Sequence, residues 1–282
     1  MTAAAHLAKP FFLTGTAGKL FSIYHPACRT VTLRRDLLII PPFAEEMNRS
    51  RRMLAMQARA LSAAGVGVLI IDLYGTGDSQ GDFNEARWET WKQDVLAALH
   101  WLRHDGAVQV SLLGLRLGAM LALDCLREQA GPFEKVILWQ PVISGESLMT
   151  QFLRVRLAAS MLDSAKEKES TQDLRATLAK GESIEVAGYD LTPELAADID
   201  RLRLEPLASP KLPPVHWLEL VSVEGRQPSP ATQRVVENWR GQGVRIFSSA
   251  VVGEPFWSLP EITVAPGLLR ATSQLFFQDQ AS

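Results

Sequence analysis

Cysteine is scarce: the 282 residues hold two, Cys28 and Cys125, far apart in the chain. Neither belongs to a Cys-x-x-Cys pair or a Cys/His ligand cluster, so both are expected to be reduced thiols, as in a cytoplasmic protein. Net charge is also nearly absent, at −2. That argues against a general electrostatic footprint for nucleic acid or membrane. No run approaches the ~18–20 uninterrupted apolar residues of a membrane-spanning helix. The first ten residues lack a basic region followed by an apolar core, so no secretory signal is expected. Internal repeats and low-complexity linkers are missing as well.

What is present is apolar bulk. Hydrophobic residues make up 47% and charged residues 21%, enough for a sizeable core. Short apolar runs alternate with amphipathic stretches. Phe11–Thr14 and Lys19–His25 read as an opening hairpin. Leu37–Ile40, Gly67–Asp72, Val108–Leu113 and Lys135–Trp139 read as strands, those apolar on both faces as buried ones. Between them, helices are expected at Asn48–Ala64, Arg87–Arg103 and Leu117–Arg127. After Trp139 the rhythm breaks into a mostly helical block, 146–210, whose charged segment 166–169 reads as a solvated helix face. Strand, helix and strand return at Val215–Val221, Ala231–Trp239 and Val244–Ser248, with a last helix inside 260–277. Repeated strand–helix units imply an α/β fold: a mainly parallel sheet of eight strands, first pair antiparallel, with helices on both faces. The expected division is a core of 1–145 and 211–282 with 146–210 as a helical lid over the carboxyl edge, where ligands of open α/β sheets bind.

Residues 110–120 run from the third of these central strands into a helix through the frame Gly114-x-Arg116-x-Gly118. A nucleophile elbow reads Gly-x-Ser-x-Gly in that context. The glycines permit a sharp turn, but a guanidinium, protonated at any accessible pH, cannot attack a carbonyl. Ser79, in the loop Gly75-Thr-Gly-Asp-Ser-Gln-Gly81, is expected to be structural, and the spacing of that loop is one residue too long for a dinucleotide fingerprint. His100 and His104 stand four apart on one helix with no third ligand nearby, so no metal and no cofactor is expected. Trp139, Phe256 and Trp257 read either as pocket wall or as core, and Trp88 and Trp91 as core.

The order of strands, elbow, lid and two further strands resembles the α/β-hydrolase superfamily along nearly the whole chain. Within it, three segments resemble the exosortase A system-associated hydrolase 2 family: Pro41-Pro-Phe-Ala-Glu-Glu-Met-Asn-Arg-Ser-Arg-Arg-Met53, Gly114-Leu-Arg-Leu-Gly-Ala119 and Gly253-Glu-Pro-Phe-Trp257. The resemblance places Arg116 at the nucleophile position, Glu254 at the histidine position and Glu224 at the acid position. None of the five histidines, His6, His25, His100, His104 and His216, follows the last strand. It also implies an oxyanion pair of N–H groups at Phe43 and Leu117, in a pocket with Glu45, Glu46, Arg116, Glu254 and Trp257. Arg116 is then either paired with one of those carboxylates or open to an anionic ligand. Three functions are compatible with this pattern: the hydrolase that the resemblance implies, working without the usual triad; a non-catalytic binder of an acylated or anionic ligand, which the residues themselves favour; or an interaction module for exopolysaccharide and protein-sorting machinery.

Overall fold

The computed structural model describes residues 7–28, 33–128, 132–160 and 169–277. His6 and residues 166–168 of the charged segment lie outside them. The chain opens with the antiparallel strands β1 (Lys9–Thr14) and β2 (Lys19–His25), then alternates through β3 (Arg35–Ile40), α1 (Glu45–Ala63), β4 (Gly67–Ile71), α2 (Trp88–His104), β5 (Gln109–Leu115), α3 (Leu117–Glu128) and β6 (Phe133–Trp139). After the segment between β6 and residue 215 come β9 (Val215–Val221), α7 (Pro230–Gly241), β10 (Ile246–Val252) and α8 (Pro266–Phe277).

Eight strands form one sheet in the order β1-β2-β4-β3-β5-β6-β9-β10, parallel from β4 to β10. The period-2 alternation of side chains divides the core. Leu38, Ile40, Leu112 and Leu138 pack on one face with α2, α3 and α7, while Leu37, Ile39, Leu113 and Ile137 pack on the other with α1 and α8. All eight are fully buried, which is why these strands read as unbroken apolar runs. β4 and β5 lie on opposite sides of β3, so the chain reverses its winding direction there. The crevice beyond the carboxyl ends of β3 and β5 is therefore the ligand position of this architecture.

The segment between β6 and β9 holds α4 (Gly145–Ser160), α5 (Thr171–Ala179) and α6 (Pro193–Arg201). It also holds an unexpected hairpin, β7 (Ile184–Val186) with β8 (Tyr189–Leu191). Its two-residue turn places Ala187 at φ 52° and Gly188 at φ 82°, the left-handed pair of a primed hairpin turn. Two boundaries differ most from expectation. α1 begins at Glu45 rather than Asn48, because Ala44 turns the chain at φ 48° two residues after Pro42. β10 runs Ile246–Val252 rather than 244–248, whereas α8 lies inside the expected 260–277.

Candidate active-site cleft

The turn between β5 and α3 has the expected elbow geometry. Arg116 sits at φ 56°, a left-handed conformation that costs a non-glycine residue about 1–3 kcal/mol. Its N–H donates to the Trp139 carbonyl at 2.9 Å and its carbonyl accepts from the Ala119 N–H at 3.1 Å. The flanking glycines allow close approach. A Cβ on Gly114 would lie 2.4 Å from the Ala119 Cα, and one on Gly118 would lie 2.4 Å from the Pro41 carbonyl oxygen. α3 is thereby drawn against the end of β3, which brings Phe43 beside Leu117. Neither of those two N–H groups has a hydrogen-bond partner among the described residues.

The Arg116 side chain turns toward α1. Its Nε donates to Glu46 Oε1 at 3.1 Å, and its Nη2 lies 3.0 Å from the same oxygen. Nη2 also donates to Gln151 Oε1 on α4 at 3.5 Å. The guanidinium lies 5.3 Å from the centre of the Trp257 ring, within cation–π range. Nη1 makes no hydrogen bond among the described residues, so its two hydrogens remain to be used. The pair is largely enclosed, with side-chain exposures of 13% for Arg116 and 19% for Glu46. Burial pushes the Glu46 carboxyl above the usual carboxylate range, and the charge and hydrogen bonds of Arg116 offset only part of that rise. Glu45, one residue earlier and so about 100° around the helix, faces Arg49 instead and pairs with it. Arg49 also donates to the Ser258 and Leu259 carbonyls at 2.9 and 2.7 Å, tying α1 to the loop after β10.

These residues border a cavity of about 430 Å³. Its polar side is Glu45, Glu46, Arg49, Arg116, Gln151 and Ser258, and its apolar side is Phe43, Leu148, Phe152, Val155 and Trp257. A neighbouring void beneath Phe43, Leu117 and Trp91 measures about 20 Å³, room for roughly one water, so the larger space is the ligand-sized one.

Sequence expectations meet this cleft unevenly. Phe43, Glu45, Glu46, Arg116 and Trp257 line the cavity, and Leu117 lines the small void beside it. Glu254 does not belong there. The chain turns at 255–257 to bury Phe256 and Trp257, which leaves Glu254 exposed and without an ion pair among the described residues. Glu224 is exposed in the turn after β9, next to Gly225 at φ 79°. Trp139 and Phe256 are fully buried and stack edge-on at 6.3 Å as core, leaving only Trp257 on the cavity. Ser79 is structural: its hydroxyl donates to the Asp72 carbonyl at 2.6 Å and accepts from the Phe21 N–H at 2.9 Å. His25 is buried, its pKa lowered by burial and by Arg59, while His100 and His104 are exposed. No histidine borders the cavity, and no cluster of metal-ligating side chains occurs among the described residues. The lining residues that the sequence does not single out are Arg49, Ser258 and the α4 face. The spacing Leu148, Phe152, Val155 is helical and was open to reading, but no local signal tells which element it covers.

A mostly parallel eight-stranded sheet with a strained elbow after β5 defines an α/β-hydrolase fold. Solved structures agree at low identity. Est1E from Butyrivibrio proteoclasticus, bound to ferulic acid, superposes with a TM-score of 0.70 at 14% identity over 96% of this chain and 100% of its own. The Pyrococcus furiosus esterase Pf2001 does so at 0.59 and 13%, over 97% and 90%. An alpha-beta serine hydrolase homologue from Coxiella burnetii reaches 0.56 and 13%, over 97% of each chain. No curated protein sequence matches. The chain belongs to the serine aminopeptidase S33 family, which matches residues 34–191.

Proposed function

We propose that this protein binds an acylated ligand in the 430 Å³ cavity without forming a covalent acyl intermediate, the serine–histidine–acid chemistry having been lost. The observation that carries this reading is Arg116 at the elbow, clamped by Glu46. A guanidinium has no electron pair to offer at neutral pH, and no imidazole borders the cavity among the described residues to activate another nucleophile. The remaining parts suit recognition. The free Nη1 hydrogens, with the Phe43 and Leu117 N–H groups nearby, offer donors to a carbonyl oxygen. Phe152, Val155 and Leu148 offer an apolar wall to an alkyl or aryl chain. Arg116 and Arg49 are each cancelled by a glutamate, so a neutral ester or amide suits the cleft better than a free anion. In this reading 146–210 is the lid.

Two assays test it. A fluorophosphonate probe is expected to label no side chain, and a panel of short acyl esters is expected to show no turnover above an Arg116→Ala control. Long-chain acyl esters and amides are expected to raise the melting temperature, and Val155→Asp is expected to abolish that rise. Labelling, or turnover that Arg116→Ala removes, would defeat the proposal. A second reading has one observation in its favour. The raised Glu46 pKa suits a proton donor for triad-free hydrolysis; turnover abolished by Glu46→Gln would establish it. Membership of the exosortase-associated subgroup is part of the proposal. Its support is that all three resembling segments place residues on this cavity or beside it: Phe43 and Glu46, Arg116, and Trp257. Copurification with exopolysaccharide or protein-sorting components is the matching test for partners.

A further inference from the structure

The two outer strands of the sheet are built differently. β1 carries Lys9 and Pro10, a charge and a blocked donor of the kind that keeps sheet edges from pairing. β10, Ile-Phe-Ser-Ser-Ala-Val-Val, has no charge, proline or glycine over its seven residues, yet it is the last strand of the sheet. Its inward groups are identified by two bonds to β9: the Arg245 carbonyl accepts from the Val215 N–H at 2.9 Å, and the Gly253 N–H donates to the Val221 carbonyl at 3.0 Å. Because direction alternates along a strand, residues 247, 249 and 251 also face β9, and Ile246, Ser248, Ala250 and Val252 face outward. Arg240 covers the Ile246 carbonyl at 3.4 Å, and Gly267 closes on the Val252 carbonyl. The centre, Ser248 and Ala250, has no hydrogen-bond partner on its outward N–H and C=O groups among the described residues.

We propose that β10 pairs antiparallel with β10 of a second copy of this chain, about a two-fold axis at Ser249, to make one continuous sheet across a dimer. The sequence is self-complementary in that register. Outward Ser248 meets outward Ala250 of the second copy, so each open donor faces an open acceptor. Ser249 meets Ser249 as a close, non-hydrogen-bonded pair, where small side chains are needed. Phe247, half-exposed and stacked on His216 at 5.2 Å, lies opposite Val251 of the second copy. The charges agree too. Arg245 precedes the strand and Glu254 follows it, both exposed; antiparallel pairing sets Arg245 one position from Glu254 of the second copy, whereas a parallel arrangement sets like charges side by side.

Sedimentation of the full chain is expected to give a dimer. Ala250→Pro removes an outward N–H and leaves the β9 bonds intact, and is expected to give a monomer with unchanged circular dichroism. Ser249→Lys and Ser249→Glu set like charges on the axis; each alone is expected to be monomeric, and mixing them is expected to restore a dimer. Ser249→Cys is expected to form an oxidant-dependent crosslinked dimer, since the Cα separation of about 4.5 Å in such a pair suits a disulfide. A Phe12→Cys change on β1 is expected to give none above wild type. A wild-type monomer without the Ser249→Cys crosslink overturns the proposal, as does a dimer that survives both Ala250→Pro and Ser249→Lys.

Discussion

Replacing Arg116 by methionine removes the charge and keeps most of the aliphatic bulk. Glu46 then stays in place, 19% exposed, without its cation. Stranding one member of a fully buried pair costs about 3–5 kcal/mol; the residual exposure here reduces the expected loss to about 2–4 kcal/mol at pH 8. The loss is bounded by protonation. The Glu46 carboxyl already titrates above its unfolded value because of burial, so the native state holds more protons than the unfolded state over that interval, and stability falls as pH rises through it. Without Arg116 the interval widens upward. The Arg116→Met deficit is therefore expected to be smaller at pH 5 than at pH 8. Glu46→Gln combined with Arg116→Met removes both charges and is expected to recover most of the loss. Urea unfolding of the wild type, the two single variants and the double variant at both pH values closes the cycle. A coupling within about 0.5 kcal/mol of zero, or an Arg116→Met deficit equal at the two pH values, would refute the account of the pair.

Asp94 on α2 is fully buried, with Oδ1 unpartnered and Oδ2 accepting the Tyr74 N–H at 2.8 Å. Burial pushes its carboxyl up to about 6; the native state is the more protonated between about pH 4 and 6, and stability falls across that window by about 3 kcal/mol. Asp94→Asn keeps the acceptor for Tyr74 and is expected to flatten the pH profile of the urea midpoint and to stabilise at pH 8; an unchanged profile would contradict this. Gly118→Ala forces a Cβ against the Pro41 carbonyl and is expected to cost more than about 2 kcal/mol, while Gly241→Ala, whose Cβ meets nothing, is expected to be neutral by thermal unfolding. Arg116→Ser restores the elbow hydroxyl without a histidine beside it, and no fluorophosphonate labelling is expected.

The strands were legible where burial is two-sided. Leu37–Ile40 and Ile137–Trp139 are fully buried in both side-chain directions, so the apolar run itself marks the element. β10 was misplaced because it is an edge with alternating exposure and a central Ser-Ser. β7 and β8 were missed because they are three residues each and turn on Ala187-Gly188 rather than Asn-Gly, although Ile184, Val186, Tyr189 and Leu191 do alternate with Glu185 and Asp190. The elbow was legible because its glycines are local. The partner of Arg116 was not: Glu45, Glu46 and Glu254 offer the same charge, and only helix phase and the turn at 255–257 separate them.

Trp257 is the one tryptophan on the wall of the larger cavity, and its ring already sits beside a fixed cation. The indole is thus an internal gauge of occupancy. An alkyl chain entering the cleft replaces water near the ring, so the emission maximum should move to shorter wavelength as the site fills, giving an affinity with no chemical label attached.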